Sequence, residues 1–313
     1  MTLVAFKNSR IFSVNSLRWK ILDISTTSWV LKSLILQMAF YITQAKYAFE
    51  LLSRVGLTDN NTVDTPVEFN AHLTPSRGKP LSNPYLYRRL VSSLVYLIIT
   101  RLDIFYVNHQ VSQYLSAPQS TYYAVVLRIL RYLKGTLFHD LFYSAQSPLI
   151  FCTFSDADWA GDPTNRRSTT GYYFLLGSSL ISWRSKKQTH LAHSSIEAKC
   201  HALADTTSKL IWLRWLFKDL GVSTSFATPL YCDNQSAIHI AHNDVFQKRS
   251  KHIKFDCHFI CYYLVHVTLK LISVFSKDQL ADIFTKSHLK GRLRTWLTTS
   301  SWSHIHLEFE GGC

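Results

Sequence analysis

A nearly continuous apolar run, Leu149 to Ser155, stops at an acid, Asp156. Apolar residues without alternation suit a central strand covered on both faces. A shorter run, Leu230-Tyr231-Cys232, ends the same way, in Asp233. Between them, Tyr172 to Leu176 and Leu180 to Arg184 flank Gly177-Ser178-Ser179, a hairpin signal. A helical region follows from about Ser195 to Gly221, and Asn234 is placed to cap a helix running to His242. Lys254 to Val265 reads as helix and Thr268 to Phe275 as strand. Ser276-Lys277-Asp278-Gln279 matches a capping box opening a last helix with Leu280, Ile283 and Phe284. The order strand, hairpin, helix, strand, helix, strand, helix predicts an α/β domain built on a mixed sheet.

The preceding half reads differently. Tyr47, Ala48, Leu51, Leu52 and Val55 recur at helical spacing, and Gly56 follows as a stop. Thr58 to Pro84 holds prolines 66, 75, 80 and 84 and predicts an extended loop. Tyr85 to Thr100, Asp103 to Leu115 and Pro118 to Lys134 predict three helices, with Gly135 as the last stop. This half is expected to be mostly α.

Charge narrows the partners. Against 34 Lys and Arg stand 20 Asp and Glu, a formal balance of +14, which favours a polyanion such as nucleic acid. A 47% hydrophobic composition excludes a disordered chain. The longest apolar stretch, near Val91 to Thr100, is broken by serines, so no membrane association is expected, and no secretory signal is evident. The six cysteines are dispersed without a Cys-x-x-Cys pair, which points to reduced thiols in the cytoplasm or nucleus. Cys257, Cys261, His252 and His258 lack the paired knuckles of structural zinc.

Asp156, Asp233 and Asp282 are candidates for one acid cluster. Carboxylates gathered without a buried cation repel one another unless divalent metal lies between them, and two Mg2+ (or Mn2+) ions so held clamp a phosphoryl displacement. Asp158 is the rival of Asp156, because strand alternation puts both on one face. Asp278, one helical turn before Asp282, is its rival. Arg166, Arg167, Arg184, Lys186 and Lys187 flank the hairpin at spacings suited to phosphate contacts, with Trp159 and Trp183 nearby. A second basic run, Lys248-Arg249-Ser250-Lys251, precedes His252.

The chain resembles the C-terminal part of copia-type long-terminal-repeat retrotransposon Pol polyproteins. The resemblance rests on Leu86-Tyr87-Arg88-Arg89-Leu90-Val91-Ser92, Arg131-Tyr132-Leu133-Lys134-Gly135-Thr136, Ser155-Asp156-Ala157-Asp158-Trp159-Ala160-Gly161-Asp162, and Arg166-Arg167-Ser168-Thr169-Thr170-Gly171-Tyr172. Asp233-Asn234-Gln235-Ser236-Ala237, Lys251-His252-Ile253 and Gln279-Leu280-Ala281-Asp282-Ile283-Phe284-Thr285-Lys286 continue it, colinear over roughly residues 40 to 290. It implies the end of a reverse transcriptase followed by a ribonuclease H domain, whose five-stranded mixed sheet carries three Asp and one Glu as metal ligands. The substrate implied is an RNA–DNA hybrid, and a complete reverse transcriptase is an implied partner. Residues 1–145 correspond to the α-rich connection region, with 1–37 expected to be eroded, 146–290 to the ribonuclease H-like domain, and 291–313 to a tail.

By the same resemblance Asp156, Asp233 and Asp282 are metal ligands and catalytic residues. The family's Ser-Ser-x-Glu-Ala-Glu-Tyr reads Ser194-Ser195-Ile196-Glu197-Ala198-Lys199-Cys200 here, so Lys199 stands at the Glu ligand position. Glu197, about 200° around the helix from Lys199, is expected to point away. An ammonium among three carboxylates opposes dication binding. The expectation is a crippled ribonuclease H. A catalytically silent nucleic-acid-binding or structural remnant is the alternative. The Tyr-x-Asp-Asp polymerase motif is absent, so no polymerase activity is expected.

Overall fold

The computed structural model describes residues 32–36, 39–57, 61–71, 73–74, 78–144, 146–222, 226–243, 253–299 and 302–304. They fall into two compact units, one formed by Ser147–Lys286 and the other by the described residues up to Gln146 with those from Ser287 onward.

In the first unit, strands β1 (Lys32–Leu36) and β2 (Ala39–Thr43) form an antiparallel pair. Helix α1 (Ala45–Val55) buries Ala48, Leu51 and Leu52 and ends at Gly56, whose φ of +67° suits a residue without Cβ. Helix α2 (Pro84–Leu97) starts with proline in its first turn and with the Asn83 side chain accepting from the Leu86 amide at 3.1 Å. Helices α3 (Phe105–Ser112) and α4 (Ser120–Gly135) complete the bundle, and β3 (His139–Ser144) pairs with β2. The helices lie where apolar spacing predicts them. The sheet was not expected from a half read as mostly α. The β2–β3 register, with Ile42 opposite Leu141, joins segments about a hundred residues apart, and no local pattern reveals such a pairing.

The second unit holds β4 (Phe151–Ala157), β5 (Thr169–Leu176), β6 (Ser179–Lys187), α5 (Ser195–Asp219), β7 (Thr228–Cys232), α6 (Gln235–His242), α7 (Lys254–Val265) and β8 (Leu269–Ser273). The sheet order is β6-β5-β4-β7-β8, with β4 parallel to β7, β7 parallel to β8, and the β4, β5 and β6 pairings antiparallel. This is the predicted α/β unit with a five-stranded mixed sheet. Phe151, Phe174, Leu203, Leu210, Leu230 and Ile260 contribute to its core. Central β4 alternates more than expected: Phe151, Thr153 and Ser155 are buried, while Cys152 and Phe154 on the other face are half-buried.

One expectation fails after β8. Ser276 opens no α-helix: Ser276–Asp278 and Leu280–Phe284 are short 3-10 turns, and Asp282 lies in the second. The buried Gln279 explains this, because its side chain accepts from the Ala281 amide at 3.2 Å and donates to the Ser155 carbonyl at 3.1 Å, capping the turn and fastening it to β4. Beyond it, the expected tail contains α8 (Lys290–Thr299) and β9 (Trp302–His304), and β9 pairs with β3 in the first unit's sheet.

Candidate active site

Register sets the first two acids side by side. Parallel pairing aligns Phe154 with Tyr231, so Asp156 and Asp233 each lie two residues further along neighbouring strands. The third arrives on the Leu280–Phe284 turn, which packs on β5 at Gly171, the residue opposite Asp156. A Cβ on Gly171 would stand 2.8 Å from Phe284 Cβ and Thr285 Cγ2 and 2.9 Å from the Ala281 carbonyl oxygen, so only glycine admits the turn this closely. Carboxylate oxygens of Asp156, Asp233 and Asp282 consequently lie within 4.8 Å of one another.

Helix α5 brings the cation. Ser194 accepts from the Glu197 amide at 3.2 Å, and the Glu197 carboxylate accepts from the His193 amide at 2.8 Å. Glu197 is thereby spent on the helix N-terminus, outside the acid cluster, as its angular position predicts. Lys199 donates to Asp156 and, at 2.5 Å, to Asp233. Thr285 donates its hydroxyl to the other oxygen of Asp156, Ser276 donates to Asp233 at 3.3 Å, and Lys286 pairs with Asp282 at 2.9 Å. Burial pushes the Asp156 carboxyl up, but the charges of Lys199 and then Lys286 hold it below the usual carboxylate range. Burial disfavours the Lys199 ammonium, yet Asp156 and Asp233 keep its pKa above the ordinary lysine value. Thr285, Lys286, Gln279 and Ser276 were not foreseen as site residues. The signal available for Lys286 was its place four residues after Asp282.

The rivals lie elsewhere. Asp158 follows β4 and accepts from the Thr169 amide; burial raises its pKa to about 7. Asp278 is exposed in the first 3-10 turn. The five basic candidates do not form one row. Arg166 and Arg167 are exposed on the turn after β4, where Arg166 has φ +55°. Lys187 is engaged by Asp162. Strand alternation sends Arg184 and Lys186 to the other face, where both act on Asp205 of α5. The run 248–251 and His252 lie outside the described residues. Among the described residues, the only group able to hold a metal is the three aspartates, and none contains Cys257, Cys261 or His258. No described helix is long and apolar enough to cross a membrane.

A mixed sheet in this strand order, with acids at the ends of two adjacent parallel strands, defines the second unit as a ribonuclease H-like module. No protein-family model matches the chain. The Pol polyprotein of transposon RE2 from Arabidopsis thaliana, described as retrovirus-related, is 39% identical over 246 residues, 79% of this chain. That of transposon TNT 1-94 from Nicotiana tabacum is 33% identical over 255 residues. An uncharacterized mitochondrial protein of Arabidopsis thaliana is 38% identical over 172 residues, 71% of its own length. The chain belongs to the family of retrovirus-related Pol polyproteins from copia-like transposons, and it spans 17% of the RE2 polyprotein and 19% of the TNT 1-94 polyprotein. Among solved structures, LC11 ribonuclease H1 isolated from compost is 14% identical, with TM-score 0.34, covering 44% of this chain and 93% of that one. The N-terminal ribonuclease H domain of a Mycobacterium tuberculosis protein is 9% identical, with TM-score 0.31, covering 48% and 98%. At such scores the fold assignment rests on strand order and register.

The acid spacing suits a divalent cation, but the donor set as a whole does not. A dication needs carboxylate oxygens free of competing cations, and here the Lys199 ammonium bridges two of the three acids. The residues present do not fit the two-metal arrangement.

Proposed function

We propose that this chain is a retrotransposon-derived ribonuclease H-like module that binds nucleic acid, with RNA–DNA hybrid as its ancestral substrate, and whose metal-dependent hydrolysis Lys199 has disabled. The single observation carrying this reading is the Lys199 ammonium held between Asp156 and Asp233. The Pol family membership and the +14 charge support nucleic acid as the partner. Replacing a ligand by a cation removes one electrostatic element of the site, which commonly costs on the order of 10² to 10³ in rate.

The test is cleavage of a labelled RNA–DNA hybrid in Mg2+ and in Mn2+ by the wild type and by Lys199→Glu. The reading expects little or no cleavage by the wild type and a gain of roughly a hundredfold or more in the variant. Wild-type cleavage at a rate that Lys199→Glu leaves unchanged contradicts it.

A further inference from the structure

The acid cluster leaves the far end of α5 unexplained. The helix buries Leu210, Ile211 and Leu213, yet Trp212 is 41% and Trp215 63% exposed, three residues apart on one face. The Lys209 ammonium lies 3.7 Å from the centroid of the Trp212 ring. Lys209 is in turn close enough to Arg184 of β6 for the guanidinium to act on it, and Arg184 and Lys186 both act on Asp205. Three cations and two exposed indoles, with the Lys209 ammonium over the Trp212 ring, thus gather at this end of the helix, where the acids are Asp205 among the cations, Asp256 acting on Asp205, and Asp219 one helical turn beyond Trp215. At 1.5 Å per residue, Trp212 lies about 20 Å along α5 from Lys199, so this group is separate from the acid cluster.

We propose that Arg184, Lys186, Lys209, Trp212 and Trp215 form a binding strip for single-stranded nucleic acid. Open indole faces stack on unpaired bases of any sequence, and neighbouring cations follow the phosphates. A duplex, with its bases already stacked on one another, offers nothing for the indoles to stack on. An apolar protein surface leaves the crowded Arg184 and Lys209 charges without a counterion, whereas a polyanion relieves them. This assignment rests on the reading above that the chain binds nucleic acid, and it adds a location and a strand state to it.

The experiment is fluorescence anisotropy of the full chain with labelled single-stranded 20-nucleotide DNA and RNA across a salt series, alongside a labelled hybrid duplex. Trp212→Ala with Trp215→Ala is expected to weaken single-strand binding by at least about tenfold. Trp212→Tyr with Trp215→Tyr, which keeps aromatic faces, is expected to retain most of it, and it serves as the informative pair where the alanine variant does not fold. Lys209→Gln is expected to lower affinity and flatten the salt dependence by slightly under one ion. Phe255→Ala, at an exposed aromatic on α7, is expected to change nothing. Single-strand affinity that survives both Lys209→Gln and the alanine pair, or that falls equally with Phe255→Ala, overturns the strip. If hybrid binding persists in that case, the broader reading stands and the strip alone fails. A wild type that binds neither probe at low salt defeats both.

Discussion

Two buried ion pairs, one in each unit, show what separates a structural charge from a site. In the first unit Arg101 meets Asp103 through two hydrogen bonds, at 3.1 and 2.7 Å, and spends further donors on the carbonyl and hydroxyl of Thr136. One carboxylate takes both charged hydrogen bonds, neutral oxygens of Thr136 take two more, and the guanidinium also acts on the Asp140 carboxyl. In the second unit three carboxylates face Lys199, whose side chain is 11% exposed, and Lys286, whose side chain is 45% exposed. That cluster keeps one negative charge in excess and places its acids close enough to share an ion. The first pair locks a loop between helices. The second is a metal-type site with a cation built into it.

Removing each cation sharpens the contrast. Lys199→Ala leaves Asp156 and Asp233 without the cation they share and should cost roughly 3 to 5 kcal/mol in urea unfolding with chelator present. Millimolar Mg2+ should recover much of that loss. Arg101→Ala should cost a similar amount, and Mg2+ should make no difference to it. If Mg2+ leaves Lys199→Ala as unstable as before, the two pairs are of one kind.

Asp158 provides the next largest effect. Its folded pKa of about 7 lies above the ordinary 3.8, so the native chain keeps a proton that the unfolded chain releases. Stability therefore falls as pH rises from about 4 to 7, by roughly 3 to 4 kcal/mol for a shift of this size. Asp158→Asn keeps an oxygen for the Thr169 amide and cannot ionise. Its urea midpoint relative to wild type should rise steadily across that window.

Gly171→Ala should cost roughly 1 to 3 kcal/mol, because the added methyl meets the backbone and side chains of the 280–285 turn. The smallest effect is at His201, which Asp256 and then Glu197 hold protonated above the ordinary imidazole value despite burial. Its stabilisation is fully present below pH 6.5 and is lost as pH rises through the higher folded pKa. His201→Gln should cost about 1 kcal/mol at pH 5.5 and less at pH 9 by urea unfolding.

The legible parts of this chain were those written in local pattern. The spacing of Leu51, Leu52 and Val55 before Gly56, the cap at Asn234 and the span Lys254–Val265 each correspond to an observed helix or helix end. Asp156 and Asp233 stood out as acids ending apolar runs, and parallel pairing brings them level. Asp282 had the right neighbours but the wrong local geometry, since Gln279, through a contact with Ser155 124 residues away, makes a 3-10 turn where a helix was expected. The basic residues near the hairpin looked contiguous because sequence proximity hides strand alternation, which separates Arg184 and Lys186 from Lys187. The β2–β3 and β3–β9 pairings of the first unit's sheet are not legible because their partners lie about a hundred residues apart or further.

The claim that Lys199 occupies the place of a metal ion is tested most directly by calorimetric Mg2+ titration of the wild type and of Lys199→Glu, folded at the same pH and ionic strength. The wild type should give no binding heat at millimolar Mg2+, and the variant a saturable heat that disappears when Asp156→Asn is added. Equal Mg2+ affinity in the wild type and in Lys199→Glu contradicts it.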